Sequence, residues 1–346
     1  MSAGLLERLI AGQDIGQDEA SALLRELAAG KIAPPLAGAL LTALRIKGEA
    51  AAEIRGFALA MRELALRPAL PAGRDYVDIV GTGGDGSGSL NLSTGSALLA
   101  AAAGLEVVKH GNRSISSRSG SADALAALGL PMPLDEAGAA RCLAATGFTF
   151  LFAPHYHPAM KQIAPVRQAL GVRTVFNVLG PLVNPAEPPY HVIGAASETL
   201  ARLMAETLAA MPLRRAFVIH GAEGWDEATP IGPFVCYDVS DGRVGRTVRD
   251  PEAAGLARCT APDLKGGDPA ENAARLRKAL RGEDSSAHED ALIAGAALAL
   301  EVTGKAGSFA AGVDQARSAL RTGAGARFLE RLDAFAAAER SRAGKT

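Results

Sequence analysis

The stretch Asp75-Tyr-Val-Asp-Ile-Val-Gly-Thr-Gly-Gly-Asp-Gly-Ser-Gly-Ser-Leu-Asn-Leu-Ser-Thr94 decides how this chain is read. A short apolar run, Tyr76–Val80, predicts a strand. A glycine loop follows, with Gly81, Gly83, Gly84, Gly86 and Gly88 in eight residues. Such density weakens any element that does not use it, and it lets the backbone approach a ligand closely. Asn91, Ser93 and Thr94 are helix-entry residues, and the unpaired N–H groups of a helix start attract phosphate. Strand, glycine loop and helix start together predict an anion cradle.

A second polar run, Lys109 to Ser121, follows one helix and one strand later and is rich in hydrogen-bond donors. Ligands of parallel sheets bind beyond the carboxyl ends of strands, which is where this run falls. Gly81-x-Gly-x-x-Gly86 also satisfies the dinucleotide fingerprint. That fingerprint expects an acidic residue at the end of the next strand. Here Leu-Glu-Val-Val runs into Lys109, a cation, so a phosphorylated ligand is favoured over a nicotinamide cofactor. Asp85 inside the loop suits backbone N–H groups or a metal-bound or hydroxyl-rich group better than a bare pyrophosphate. Ser119 or Ser121 is expected to cap the following helix.

Composition narrows the classes. The 346 residues suffice for one large domain or two modest ones, and 48 % are hydrophobic but only 4 % aromatic. The apolar runs are mostly alanine and leucine, which favours helix. A net charge of −1 and a pI near 6.6 argue against a nucleic-acid binder. Cys142, Cys236 and Cys259 are widely spaced and form no metal motif, as expected of reduced thiols in a cytoplasmic protein. No apolar run is long enough for a membrane span, and the N-terminus lacks a secretory signal pattern.

Residues 4 to about 66 read as helices only, with apolar residues at helical spacing, Asp18 as the cap of the second helix and Gly30 as its stop. Arg67-Pro-Ala-Leu-Pro-Ala-Gly73 is a proline–glycine linker and predicts a domain boundary. The expected domains are therefore 1–70, helical, and 74–346, α/β. Beyond the linker, strand-like runs (Tyr76–Val80, Leu105–Val108, Phe148–Phe152, His191–Gly194, Ala216–His220, Phe234–Val239) alternate with helical ones. This predicts a mostly parallel sheet flanked by helices. Residues 158–189 show no strand until their end, and part of them is expected to complete the helical domain. Glu283 to Asp290 reads as a solvated polar loop, and the tail from Glu271 as helical.

Asp226-Glu227 follows the strand Ala216–His220, again at a carboxyl end. Adjacent carboxylates beside a diphosphate suggest Mg²⁺, which takes oxygen ligands and keeps several waters. Arg167 is placed to meet a substrate carboxylate in bidentate fashion. His155, His157 and His220 read as structural.

The motifs GTGGD (81–85), NLST (91–94), KHGNR (109–113), SGSAD (119–123), FAPHYHPAM (152–160), APVRQALG (164–171), FNVLGPLVNP (176–185) and HGAEGWDE (220–227) resemble those of the anthranilate phosphoribosyltransferases over nearly the whole chain. The resemblance implies a small helical domain and a large α/β domain with the site at their hinge. The implied reaction transfers phosphoribosyl from 5-phosphoribosyl 1-pyrophosphate (PRPP) to the amine of anthranilate, in tryptophan biosynthesis. It implies PRPP binding by Gly81, Gly84, Asp85, Asn91, Ser93, Thr94, Lys109 and Ser121, and Mg²⁺ binding by Ser93, Asp226 and Glu227. His110, Asn112 and Arg167 would hold anthranilate. A cytoplasmic homodimer joined through the N-terminal helices is also implied, with no side chain acting as acid, base or nucleophile. Trp225, Leu90 and Phe234 depart from the family pattern, where leucine, phenylalanine and threonine are usual. The rivals are a pyrimidine nucleoside phosphorylase of similar architecture, a nucleic-acid-binding relative and, least favoured, a nicotinamide oxidoreductase.

Overall fold

The computed structural model describes residues 2–114 and 118–343. Apolar residues at i, i+3 and i+4 make the first four helices amphipathic: Ser2–Ile10, Gln17–Ala28, Pro34–Lys47 and Ala51–Glu63. Pro34 and Pro35 open the third, where their missing N–H groups cost nothing. The second begins after Gly16 rather than Asp18, with the Glu19 carboxylate accepting from the Gly16 N–H at 3.1 Å. Asp18 thus stands in the first turn, where its charge favours the helix start without capping it.

From Tyr76 the chain builds seven strands: β1 Tyr76–Gly81, β2 Glu106–Gly111, β3 Phe148–Phe152, β4 Tyr190–Gly194, β5 Arg215–His220, β6 Phe234–Ser240 and β7 Arg243–Arg249. Their order is β3-β2-β1-β4-β5-β6-β7. β1 to β5 are parallel, and β6 and β7 return antiparallel. β7 has no counterpart among the expected strands. Its RVGRTVR residues are almost all exposed, so it lacks the apolar run by which the others are recognised.

Alternation along the strands separates two cores. Phe217 and Ile219 of β5 face one, while Ala216 and Val218 face the other. The first is closed by helices Leu92–Ala102, Pro269–Arg281, Ser286–Val302, Phe309–Arg321 and Ala324–Ala343. The second is closed by the N-terminal helices and helix Glu198–Leu208. Helix Met160–Leu170, from the segment without strands, packs on helices Gln17–Ala28 and Pro34–Lys47. The polar run Glu283–Asp290 is only partly loop. Ser285 caps helix Ser286–Val302 by accepting from the His288 N–H, and the buried His288 ring faces Asp284 at 3.3 Å.

Trp225, Leu90 and Phe234 are all buried, and Phe234 meets Phe309 edge-to-face. The three family departures therefore belong to packing. No helix among the described residues is long and apolar enough to cross a membrane.

Candidate functional site

The strand order reverses at β1. The chain runs outward through β2 and β3 on one side, then returns to β4 and β5 on the other. The crevice beyond the carboxyl ends of β1 and β4 is such a reversal point, where open α/β sheets bind ligands. Gly81 and Gly194 end these strands side by side in register. A Cβ on Gly81 would overlap the Asp226 carboxylate, and one on Gly194 the Asp226 backbone carbonyl. The two glycines thus let the segment after β5 cross the crevice.

That crossing brings the separated motifs into contact. Asp226 Oδ2 accepts from the Gly83 N–H at 2.6 Å, and Glu227 Oε1 from the Ser93 N–H at 2.9 Å. Lys109, buried at the end of β2, donates to the Ile79 carbonyl and lies 3.3 Å from Ser93 Oγ. The glycine loop carries positive φ at Gly83, Gly84, Gly86 and Gly88, a backbone that side-chain-bearing residues rarely adopt. Asp85 fixes its turn by accepting from Ser87 N and Oγ, while Asp85 Oδ2 is buried without a hydrogen-bond partner. The buried Thr94 hydroxyl is likewise unsatisfied. Unpaired buried oxygens are costly and point to a partner supplied from outside.

The electrostatics agree. Burial, then the neighbouring Asp85, pushes the Asp226 carboxyl up to about 7. Burial and Asp226 push Glu227 up to about 8. Burial pulls the Lys109 ammonium down, against the pull of Asp78, Glu227 and Asp226. Acids so crowded are stabilised in their charged form by a cation. Among the described residues no cluster of three or more His, Cys, Asp or Glu forms a complete metal cage. A few carboxylates completed by water and phosphate oxygens are the habit of Mg²⁺, so the donor set fits that ion.

Asn91 stands at the helix entry, but its side chain spans elements instead of capping. It donates to the Ser119 carbonyl at 3.0 Å and accepts from Ser119 Oγ and from Asn272. Ser121 likewise does not cap its helix. Its Oγ donates to the Asn112 carbonyl, and Asp123 accepts from the Gly120 N–H instead. Ile115, Ser116 and Ser117 of the polar run lie outside the described residues. Asn112 is exposed beside Arg113.

His110 points to the opposite face of β2 from Lys109, as strand alternation requires. Its Nδ1 meets the Gly180 carbonyl at 3.1 Å, and its Nε2 meets Nε2 of His157 at 3.2 Å. A carbonyl only accepts, so His110 carries its proton on Nδ1 and His157 donates to the bare His110 Nε2. Burial holds both rings neutral, at about 3 for His110 and about 4 for His157. Below this pair lies a buried strut that the sequence reading missed. Asp78 accepts from the His110 N–H and from Asn184, whose amide also donates to the Val108 carbonyl. The signal for it was one carboxylate inside the apolar run Val77-Asp78-Ile79. His220 meets the Ala195 carbonyl, a structural contact.

Arg167 lies over the Phe176 ring at 5.4 Å, half-buried, its guanidinium depressed by burial and without a carboxylate partner among the described residues. The residues of the site thus fall into two groups. Gly81, Gly83, Asp85, Ser93, Lys109, Asp226 and Glu227 are bound together at the crevice. The side chains of His110 and Arg167 stand on the side of the helical bundle, with no hydrogen bond or ion pair to that cluster among the described residues.

Similarity to known proteins extends over nearly the whole chain. Residues 3–65 match the family described as "Glycosyl transferase family, helical bundle domain", and residues 73–326 match "Glycosyl transferase family, a/b domain". The chain is 45 % identical over 327 residues to an anthranilate phosphoribosyltransferase of Methylobacterium radiotolerans, covering 94 % of each. The crystal structure of the anthranilate phosphoribosyltransferase from Thermus thermophilus superposes with a TM-score of 0.89 at 44 % identity, over 96 % of this chain and 99 % of that one. The Saccharomyces cerevisiae enzyme in complex with PRPP and Mg superposes at 0.87 and 26 % identity, over 97 % and 98 %.

Proposed function

We propose a division of labour among the side chains of this chain, which belongs to the anthranilate phosphoribosyltransferase family. The enzyme transfers the phosphoribosyl group of PRPP to the amine of anthranilate, releasing pyrophosphate, in tryptophan biosynthesis. The observation carrying the assignment is the meeting of three distant segments at one crevice: Gly83 with Asp226, Ser93 with Glu227, and Lys109 with Ser93.

In this reading the glycine loop from Gly81 through Gly84 and the helix entry at Ser93 and Thr94 hold the diphosphate and sugar. Lys109 places a desolvated cation beside the departing charge. Asn91 and Ser121 brace the cradle through the Lys109–Ser121 run while facing the ligand. Asp226, Glu227 and the Ser93 hydroxyl would hold Mg²⁺, with Asp85 beside them. The ion, when bound, offsets charge on the diphosphate and relieves the crowding of the two acids.

Anthranilate is a weak nucleophile because its nitrogen is conjugated with the ring. Leaving-group departure therefore runs ahead of bond formation, and the anomeric carbon gains oxocarbenium character. Such a reaction asks for charge stabilisation and placement more than for acid–base chemistry. The neutral His110–His157 pair fits this demand, since burial keeps it from titrating near neutral pH. Arg167 and Asn112 would hold the anthranilate carboxylate beside His110.

The direct test is anthranilate fluorescence, followed with and without PRPP and Mg²⁺. Consumption requires both. Arg167→Ala separates the substrate sites. Loss of a charge-assisted hydrogen bond raises the KM for anthranilate about 10- to 100-fold and leaves that for PRPP near wild type. The reverse split removes Arg167 from this place.

Assembly as a homodimer rests on the outer face of the bundle. A groove of about 880 Å³ is lined there by Leu6, Ile10, Pro35, Ala39, Ile46 and Leu170, among others. Ile10 and Ile46 are 67 % and 81 % exposed, which favours a covering partner, here a second copy. Sedimentation of the wild type as a dimer, and of Ile46→Glu as a monomer, is the expected result. A monomeric wild type defeats it. Soluble, charged substrates favour a reaction in the cytoplasm.

A further inference from the structure

Arg173 is used by none of the roles above. It sits between two fixed points. Helix Met160–Leu170 closes at Gly171 with φ of 63°, and the Thr174 N–H donates to Asn177 Oδ1 at 2.9 Å. From this segment, which follows Arg167 and the bundle-side helix, the side chain reaches back across the crevice. Its guanidinium lies on the glycine loop. Nη2 is 3.5 Å from the Gly83 carbonyl oxygen, and a Cβ on Gly84 would overlap the same nitrogen. Positive φ at Gly84 already favours glycine, and the arginine adds a second reason for a bare Cα. Arg173 has no carboxylate partner among the described residues, although Asp85 belongs to the loop it covers and Asp226 is hydrogen-bonded to that loop.

A guanidinium carries five N–H donors in a planar fork suited to phosphate oxygens. One long contact to a carbonyl leaves most of that fork open at the mouth of the cradle. The charges also ask for it, because Asp226 and Glu227, with Asp85 beside them, share one buried ammonium. We infer that Arg173 clamps the diphosphate of PRPP, reaching it from the side that holds the amine substrate. This rests on the assignment of the glycine loop as the diphosphate cradle. Arg173 then joins the two substrate sites, because its backbone directly follows the helix that carries Arg167.

The test uses the full-length protein and magnesium pyrophosphate as probe. Isothermal titration of wild type, Arg173→Ala and Arg173→Lys gives affinities without turnover, and steady-state kinetics give both KM values. Arg173→Ala is expected to weaken magnesium pyrophosphate binding about tenfold or more and to raise the KM for PRPP similarly. The anthranilate KM and the ligand-free Tm stay at wild-type values, and Arg173→Lys recovers part of the loss. Unchanged pyrophosphate affinity in Arg173→Ala, with an active wild type, overturns the clamp and leaves the cradle standing. Equal rises in both KM values with a lowered Tm also overturn it, in favour of a packing role. A wild type that does not bind magnesium pyrophosphate overturns the cradle and the clamp together.

Discussion

Asp226→Asn combined with Glu227→Gln lowers Mg²⁺-dependent turnover by about 10²- to 10³-fold, the scale of losing a preorganised charge contact in a closed site. Both amides keep an oxygen for the Gly83 and Ser93 N–H groups, so the backbone contacts survive. What disappears is the negative charge that a divalent ion needs. The fold does not suffer. The wild-type acids are held up to about 7 and 8, so ionising them costs the folded state; this cost builds up as pH rises from the ordinary carboxylate range to those values and is fully present above them. The amides carry no such cost. At pH 8 without metal, the double variant therefore keeps or exceeds the wild-type Tm. Titration of activity against Mg²⁺, beside a melting curve, checks both halves. A Mg²⁺ response equal to that of the wild type removes these residues from metal binding.

Lys109→Met is the second large effect. Met nearly fills the volume of the buried stem and removes the ammonium that faces Asp78, Asp226 and Glu227. Removing the buried cation leaves Asp78, Asp226 and Glu227 without their counter-charge, so the Tm falls, and near-ultraviolet circular dichroism well below that Tm identifies the folded variant for assay. The kcat/KM for PRPP falls about 10²-fold or more, because the charge on departing pyrophosphate loses its fixed counter-ion in a dry site. The anthranilate KM changes little, since His110 points to the other face of β2 and Arg167 lies on the bundle-side helix. A loss below about threefold, within the range of ordinary side-chain repacking, refutes a role at the leaving group.

The parts of the site legible in the sequence were those with a local pattern. Gly81 to Gly88 declared a loop that only a ligand justifies, and Lys109 and Asp226-Glu227 declared themselves by following apolar strands. The resemblance supplied the identities of the substrates. Features that depend on distant partners stayed hidden. The Asp78–Asn184–His110–His157 chain joins four segments far apart in sequence, and His157 read as a structural turn residue. Arg173 carries no local pattern and passes as one more polar position after a helix. β7 was missed because nearly every residue on it meets solvent, so no apolar period marks it. The helix caps at Asp18 and Ser121 were misplaced by residue-type preference. A glutamate and an aspartate three positions from the true caps satisfied those N–H groups instead.

Gly81 and Gly194 carry a further consequence. Because the Asp226 main chain rests on the bare Cα of Gly194 and its carboxylate on that of Gly81, the acidic segment takes its height above the sheet from the strand ends themselves. Trp225, next to the pair, is packed into the core and does not set that height. The acidic pair behaves like a beam laid on two bearings. A single methyl group slipped under either end lifts the whole span.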